Sequence, residues 1–341
     1  MTELLLKPRS SPDQIRESTV RQVERGAERM LNVDFLLPKE WLKFEPYKPE
    51  PVASSDLILF GRYGDRGGKA LIELYAQPIA RELSSADWFE HWARRSGYVV
   101  EKVHRTYTPA GWNVDAIAVR RGTSGAVFTY RMATFKDAGM VYLVAGFAHP
   151  REFDALQDKF VTAIGSFRLT DAADMPSAEP LRTVKLSRVL SAQLVIPQTW
   201  QRMQDPRTDI ELVHFENKGG DAILGKVSVL VAPLAAFASH DAVSDALVAG
   251  GEARGIKVPL TPSNGGKFFT EAREGTIPFD AARPTSSVRT FVAQGGGAWV
   301  GFSRISLRAS AESYPIDAIN DRAYEIVMRT FGPAKADTAG S

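Results

Sequence analysis

The sequence predicts an α+β protein of two tandem domains, each an antiparallel sheet flanked by helices on both faces. The segment at 33–41 recurs at 192–200, so 192 − 33 = 159 residues separate the copies in a chain of 341. After each copy, hairpin patterns are interrupted by helical patterns at two separated points, which is typical of α+β domains. Strand patterns such as 140–147 alternate poorly, which indicates burial on both faces of the sheet.

The repeated segment is a short apolar strand followed by proline, two polar residues and tryptophan. Pro38 and Pro197 cannot donate to a sheet ladder, so each should end its strand. We expect Trp41 and Trp200 to fold back over the cores of their domains as lids. A spacing this long indicates a duplicated domain rather than a solenoid, whose repeats span about 20–50 residues.

The first 31 residues form a predicted N-terminal arm with one short amphipathic helix. Pro12 suits a first helical position, and the apolar residues that follow recur near helical spacing. The arm packs on a domain, frays, or docks a partner. The complete predicted division is an arm at 1–31, a first domain at 32–169, a linker at 170–184, a second domain at 185–333 and a disordered tail at 334–341.

Within the first domain, apolar runs bounded by Gly and Pro predict strands, and spacings of three and four residues predict helices. Ser84 or Ser85 should begin the first helix and Gly97 should end it. The predicted strands are 33–37, 57–60, 70–76, 113–119, 127–135 and 140–147, and a closing helix is predicted at 152–164.

The second domain repeats this order after a linker rich in small and turn-forming residues. A helix opens near Ser239, and a hairpin turns at Gly295-Gly296-Gly297. The predicted strands are 193–196, 211–215, 225–231, 287–293 and 298–305, and the closing helix carries Ile316, Ile319, Ala323, Ile326, Val327 and Phe331.

Composition excludes several function classes. The net charge is only +2, which gives no electrostatic reason to expect nucleic acid as a partner. The chain has no cysteine, so disulfides, thiolate metal sites and thiol nucleophiles are excluded. No segment has the apolar core of a signal peptide or the ~18–20 apolar residues of a membrane span, so we expect a cytoplasmic protein.

Motifs for catalysis and cofactor binding are missing, so we predict no enzyme activity, no cofactor and no metal. The Gly-Lys pairs at 68–69 and 266–267 lack the first Gly and the Ser or Thr of a phosphate-binding loop. The five histidines do not recur at metal-ligand spacing. No Gly-x-Ser-x-Gly elbow is present to carry a serine nucleophile.

The chain resembles the Mog1/PsbP/DcrB-like superfamily of α/β/α sandwiches. The resemblance rests on Phe35, Pro38 and Trp41, on the element order, and on a closing helix that ends Ile164-Gly165-Ser166-Phe167. The second half is similar, and the two matches cover about 31–169 and 185–333. Matching residues in the second half are Leu194, Pro197, Trp200 and Phe331.

The resemblance implies binding of partners rather than catalysis. The superfamily includes a Ran-binding nuclear transport factor, photosystem II extrinsic subunits, DcrB lipoproteins and effector-associated chaperones of type VI secretion. This chain departs from the DcrB and photosystem II members because it has neither a signal peptide nor a lipid-attachment cysteine. The similarity to the chaperones implies an adaptor linked to bacterial secretion.

The functional hypothesis is a non-catalytic protein-binding module that holds an apolar segment of a secreted effector or complex subunit. Tyr75, Tyr130 and Tyr142 lie on predicted strands and are the candidate partner-binding residues, since aromatic side chains bury much area for few rotatable bonds. The alternative is that these tyrosines belong to the core. The alternative functions are a structural or assembly subunit of a larger complex, and a small-molecule binder or enzyme with a site between the domains.

Overall fold

The computed structural model describes residues 2–26, 28–44, 57–122, 124–171, 173, 177–204, 209–249, 256–265, 268–278, 286–307 and 314–334. The chain divides into two compact units, Met1–Ala178 and Glu179–Ser341. The boundary lies inside the predicted linker at 170–184. The predicted disordered tail lies outside the described residues from 335 onwards.

Unit 1 contains three α-helices and ten strands within the described residues. The helices are α1 (Pro12–Ser18), α2 (Ser85–Arg95) and α3 (Pro150–Ser166), with a 3-10 turn at Arg29–Leu31. The strands are β1 (Thr19–Glu24), β2 (Val33–Pro38), β3 (Leu42–Lys43), β4 (Ile58–Gly64), β5 (Ala70–Pro78), β6 (Val99–Thr108), β7 (Gly111–Arg121), β8 (Val127–Asp137), β9 (Met140–Ala148) and β10 (Arg168–Leu169).

Unit 2 contains two α-helices and ten strands within the described residues. The helices are α4 (His240–Val248) and α5 (Tyr314–Thr330), with a 3-10 turn at Leu234–Ala236. The strands are β11 (Leu181–Leu186), β12 (Ala192–Pro197), β13 (Gln201–Gln204), β14 (Glu211–Gly219), β15 (Ala222–Pro233), β16 (Thr261–Pro262), β17 (Thr270–Ile277), β18 (Ser286–Gly295), β19 (Ala298–Leu307) and β20 (Gly332–Pro333).

Each unit has one seven-stranded and one three-stranded antiparallel sheet, which confirms the α+β class and the antiparallel pairing. The large sheets have the order β3-β4-β5-β9-β8-β7-β6 in unit 1 and β13-β14-β15-β19-β18-β17-β16 in unit 2. The small sheets have the orders β1-β2-β10 and β11-β12-β20. The strand order of unit 2 therefore repeats that of unit 1, position by position.

The helices of unit 1 begin and end where the sequence provides capping groups. The Ser84 side chain accepts a hydrogen bond from the Asp87 backbone amide and begins α2. Gly97, at φ +73°, ends that turn in a left-handed conformation and leads into β6. Pro150 occupies the first turn of α3. The predictions for both helices are confirmed.

The core of unit 1 is aromatic and centres on α3 and the repeated segment. Phe35, Trp41 and Phe160 are buried in one cluster with strands of the large sheet. Gly146 on β9 lies directly beneath Phe160, since an added Cβ would lie 2.4 Å from the Phe160 Cδ1 atom. On α2, the Trp88 indole donates a hydrogen bond of 2.9 Å to the Gln77 side chain on β5.

The core of unit 2 uses the same positions with more polar side chains. Trp200 is fully buried. An added Cβ on Gly225 of β15 would lie 2.1 Å from the amide nitrogen of Asn320 on α5. That buried Asn320 accepts a hydrogen bond from Asn217 and donates one to Ser306, at 2.9 Å each. Paired in this way, its amide can be buried without a large desolvation cost.

The predicted N-terminal helix is wrong beyond Ser18. A capping box between Ser11 and Gln14 begins α1, but the chain turns extended at Thr19 and β1 pairs with β2 over six residues. Thr19, Val20 and Val23 favour an extended backbone, and an available partner strand outweighs their helical spacing. The small sheet of unit 1 thus begins inside the predicted arm, just as β11 begins inside the predicted linker.

Candidate functional site

The strand β6 is a long, exposed edge of the large sheet of unit 1. Within the described residues it pairs with β7 alone, and its ten residues make it the longest edge strand of either unit. Val99 and Val103 are 66% and 44% exposed, and Val100 is also exposed. Valine and threonine favour an extended backbone, so the strand keeps its shape without a partner on its outer side.

A chain of aromatic rings runs from the start of β6 into the sheet. Tyr98 stacks on Trp92 of α2 at 5.0 Å and meets Tyr130 of β8 edge-on at 5.0 Å. Tyr130 in turn stacks on Phe147 of β9 at 4.8 Å. The Arg120 guanidinium lies 5.0 Å from the centre of the Tyr98 ring, a cation–π arrangement. Trp92 and Tyr98 are half-buried, so this end of the cluster is accessible.

The structure brings Tyr75 and Tyr130 to one face of the sheet and places Tyr142 on the other. Tyr142 pairs across the strands with Ala76, whereas Tyr75 pairs with Leu143 on the opposite face. Tyr142 is fully buried, and its hydroxyl donates to the Met30 carbonyl at 2.7 Å. In this conformation its ring is a core element and presents no surface to a partner.

Tyr75 is half-buried and belongs to a polar group beside the aromatic rings. Its hydroxyl donates to Glu73 at 2.5 Å, and Arg62 donates to the same carboxylate at 2.8 Å. Burial and the Glu73 charge raise the pKa of Tyr75 well above its ordinary value. Burial also raises the pKa of Tyr98. Both phenols therefore stay protonated at physiological pH.

The equivalent edge of unit 2 is short and blocked. β16 comprises only Thr261–Pro262, and proline has no amide to donate. Short strands and prolines are the usual devices by which proteins prevent a sheet edge from pairing with another chain. Along β6 unit 1 has neither a short strand nor a proline, and its protection is limited to charged side chains such as Lys102 and a register shift between Val100 and Lys102.

Unit 1 also has a buried ion pair on the α3 face of its sheet. Arg131 on β8 is 1% exposed and donates to Asp115 on β7 at 2.5 Å. The same guanidinium donates to the Leu5 carbonyl at 2.5 Å, which ties the N-terminal segment to the sheet. Burial raises the pKa of Asp115 and lowers that of Arg131, despite their mutual attraction.

Unit 2 has a pocket on the corresponding face. Its volume is about 370 Å³, and it is lined by Thr261, Glu274, Gly275, Thr276, Arg289, Arg304 and Asp321. Arg304 is buried and donates to Asp317 at 2.6 Å. Arg289 lies 5.3 Å from the centre of the Tyr324 ring.

Two absences concern only the described part of the chain. Among those residues, no group of three or more His, Asp or Glu side chains is placed to hold a metal ion. None of the helices that the structure describes combines the length and the hydropathy needed to cross a membrane.

Comparison with known proteins gives structural likenesses at low identity. No protein-family model matches the chain, and no curated protein matches its sequence. The chain is similar to cyanobacterial PsbP (CyanoP) from Synechocystis sp. PCC 6803, at 10% identity and a TM-score of 0.33 over 45% of this chain and 93% of that one.

Two further solved structures are similar. One is a Bacteroides thetaiotaomicron protein, at 8% identity and a TM-score of 0.30 over 50% of this chain and 54% of that one. The other is PA94 of Pseudomonas aeruginosa, a protein of unknown function, at 12% identity and a TM-score of 0.25 over 40% and 88%. At these values none of the three carries an argument about what this chain binds.

Sequence reasoning missed β6, Tyr98 and both arginine sites. A signal for the arginines was present: an acid precedes an arginine by 131 − 115 = 16 residues in one half and by 289 − 274 = 15 in the other. Aligning the halves strand by strand would have paired Asp115 with Glu274 and Arg131 with Arg289.

Proposed function

We propose that this protein is a non-catalytic protein-binding module, a chaperone or adaptor that holds an extended apolar segment of a partner along β6. The observation that carries the proposal is the exposure of Val99 and Val103 on a ten-residue edge strand. An edge of this kind presents a row of backbone donors and acceptors that a second chain can pair with.

Binding by addition of a strand to β6 requires a partner segment that is extended, and the exposed valines favour one that is apolar. Main-chain hydrogen bonds to a sheet edge supply affinity, and side-chain contacts supply selectivity. The exposed valines of β6 offer apolar contacts to side chains of the added strand. Each good contact gains roughly 25 cal/mol per Å² of apolar surface removed from water.

The aromatic cluster supports the same site. Tyr98 directly precedes β6, Trp92 of α2 stacks on it, and both side chains are only half-buried. Large aromatic side chains held by stacking bury area with little loss of conformational freedom, and they are enriched at binding hot spots. Of the tyrosines named from the sequence, Tyr75 and Tyr130 lie on the face that carries this cluster. Tyr142 is not part of the proposed site.

We also infer a tandem pair of PsbP-like domains, with the helices of each unit on opposite faces of its large sheet. Strand alternation supports this, because Gly146 faces α3 whereas Gln77, whose side chain is bonded to α2, points to the other face. The helices of unit 2 are divided between the two faces in the same way. Gly301 lies against Leu247 of α4, and Gly225, on the opposite face, lies against Asn320 of α5. A cytoplasmic location and a role linked to bacterial secretion are part of the proposal and rest on the sequence and the family resemblance.

Co-purification from the native cell tests the proposal with one matched pair of variants. Val99→Lys/Val103→Lys places two charges on β6. Val20→Lys/Val23→Lys does the same on β1, another edge strand of unit 1, where the valines are 48% and 41% exposed. We expect the β6 variant to lose at least about tenfold in recovered partner, since two anchors each contribute about 1 kcal/mol or more.

The β1 variant should recover the partner as the natural protein does. A partner lost equally from both variants, or lost only from the β1 variant, would overturn the assignment to β6. Circular dichroism of the two variants provides the folding control, because surface substitutions of this kind change stability by only about 0.5 kcal/mol.

A further inference from the structure

We propose that unit 2 has a second binding site, independent of β6, that takes an extended polar peptide segment. Its pocket lies on the α5 face of the sheet and holds a backbone carbonyl of that peptide on Arg289. The inference rests on the internal comparison of the two units, because unit 1 holds a peptide segment of its own at the equivalent place.

The register of the two sheets makes the positions equivalent. In unit 1, Ile117 pairs with Arg131, which pairs with Gly146. In unit 2, Thr276 pairs with Arg289, which pairs with Arg304. An acidic residue lies two positions before Ile117 and two before Thr276. It is Asp115 in unit 1 and Glu274 in unit 2. Because β7, β8 and β9 correspond to β17, β18 and β19, Arg131 and Arg289 occupy the same place on the same face.

Unit 1 shows what this place accepts. The N-terminal segment crosses it, with Leu4 packed against the core and the Leu5 carbonyl bound to Arg131. Farther along, the Ser10 amide donates to Asp158 of α3 at 3.1 Å. A backbone carbonyl on arginine and a backbone amide on a carboxylate are complementary to a peptide, which offers both groups along one chain.

Arg289 of unit 2 is positioned for the same task. Its guanidinium lies over the Tyr324 ring, which fixes the plane of the fork. Among the described residues it makes no hydrogen bond and no ion pair, whereas Arg304 beside it is engaged by Ser287, Ser306, Asp317 and Asp321. Arg289 therefore has donors to offer within the pocket, whereas the Nη1 group of Arg304 is already engaged by Ser287, Ser306 and Asp317.

The charges and walls of the pocket define the occupant. Arg289 and Arg304 are balanced by Glu274 and Asp321, so the lining has no net charge and favours a neutral peptide over a free anion. Thr276 stands where unit 1 has Ile117, a member of the apolar cluster against which Leu4 packs, so this wall of the pocket is more polar. We therefore assign an extended segment with polar side chains, one carbonyl on Arg289 and one amide on Glu274.

A peptide derived from this chain tests the assignment on the full-length protein. The probe is a terminally blocked peptide of residues 2–11 that carries Leu4→Thr, added to protein with labelled threonine methyl groups. We expect shifts of the Thr261 and Thr276 methyl signals in nuclear magnetic resonance spectra, because both side chains line the pocket. The natural segment is covalently part of unit 1 and so has a high local concentration at Arg131. The added peptide should therefore not displace it there.

Three variants and one competitor decide the outcome. Arg289→Ala should weaken peptide binding about tenfold or more, since a hydrogen bond to a charged group is lost. Arg289→Lys should recover part of the affinity, whereas Arg273→Ala, on the neighbouring strand but exposed elsewhere, should change nothing. Absent methyl shifts, or binding retained in Arg289→Ala, would overturn the proposal. Equal shifts with sodium acetate would assign a free carboxylate instead and overturn the peptide assignment.

Discussion

Arg131 and Arg289 occupy equivalent positions in two sheets of the same topology, yet their surroundings differ. Arg131 is buried beneath the N-terminal segment of its own chain, bound to Asp115 and Leu5. Arg289 lines an open pocket and has no hydrogen-bond partner among the described residues. The difference shows that a shared strand order does not by itself determine whether an equivalent arginine is accessible to a ligand. Its accessibility depends on whether another segment of the chain lies over that face of the sheet.

The sheet edges show the reverse arrangement. In the part of the chain that the structure describes, unit 1 leaves the ten residues of β6 open, whereas unit 2 limits the equivalent strand to Thr261–Pro262. Each unit therefore closes the surface that the other leaves open. Two units that share one strand order can thus present different surfaces through short changes at an edge or a terminus.

The largest expected effect is on the two arginines. Arg131→Ala leaves the half-buried Asp115 without its partner and should destabilise unit 1 by about 2–4 kcal/mol. Arg289→Ala should destabilise unit 2 by only about 0.5–1 kcal/mol, since that side chain is half-exposed and loses a cation–π contact with Tyr324. Hydrogen exchange of the full chain, followed by mass spectrometry of peptides from each unit, reports the two effects separately.

Replacing the whole ion pair sharpens this result. Because burial raises the pKa of Asp115 and lowers that of Arg131, desolvation outweighs their attraction. The double variant Arg131→Met/Asp115→Leu should therefore recover most of the stability lost in the single variant. Equal losses in the single and the double variant would contradict a cost that arises from an unpaired buried charge.

An intermediate effect is expected at the contact between β9 and α3. Gly146→Ala places a Cβ 2.4 Å from Phe160 Cδ1 and should cost unit 1 about 1–3 kcal/mol. Gly165→Ala is the matched control, because nothing lies within 4 Å of the added atom and its φ is not positive. That control should stabilise the helix by about 0.5–1 kcal/mol. Thermal unfolding of both variants checks the predicted opposite signs.

The smallest effect concerns the N-terminal segment that distinguishes the two arginine sites. Burial alone would raise the pKa of Asp158, but hydrogen bonds from Ser10 and Arg9 hold it below its ordinary value. A carboxyl with a lowered pKa stabilises the docked segment above its unfolded value of about 3.9, and this contribution is lost as the pH falls through the folded value.

Asp158→Asn should mimic the acidic state at neutral pH and loosen the segment by about 1 kcal/mol. Faster hydrogen exchange in peptides covering residues 3–10, with the rest of unit 1 unchanged, is the expected observation. Asp154→Asn, on the same helix but bonded to Gln157, serves as the control. Equal loosening in both variants would show that the effect is not specific to the docked segment.

Much of the scaffold could be predicted from local sequence. The Pro-x-x-Trp repeat, the caps of α2 and the apolar spacing of α3 are strong local signals, and the antiparallel hairpins follow from alternation and glycine turns. The strand β1 could not be predicted because its valines fit a helical spacing as well, and only pairing with β2 decides the outcome.

The candidate sites depend on contacts between distant residues and were harder to predict. β6 mixes valines with Glu101, Lys102, His104 and Arg105, so its pattern is that of an exposed segment. Tyr142 and Tyr130 cannot be told apart by their sequence neighbours. Both are buried, at 0% and 9% exposure, and only the strand register places Tyr142 on the face of Ala76 and Tyr130 on the opposite face. Arg131 acquires its role from the Leu5 carbonyl 126 residues away, a contact that no local pattern encodes.

Photocrosslinking in the native cell tests the central claim most directly. A photoreactive phenylalanine analogue placed at position 103 on β6 should give a discrete adduct with one partner protein. The same analogue at position 203 on β13, an edge strand of unit 2 where Met203 is 50% exposed, should give no such adduct. No adduct at 103, or the same adducts at both positions, would contradict the claim that β6 is the protein-binding edge.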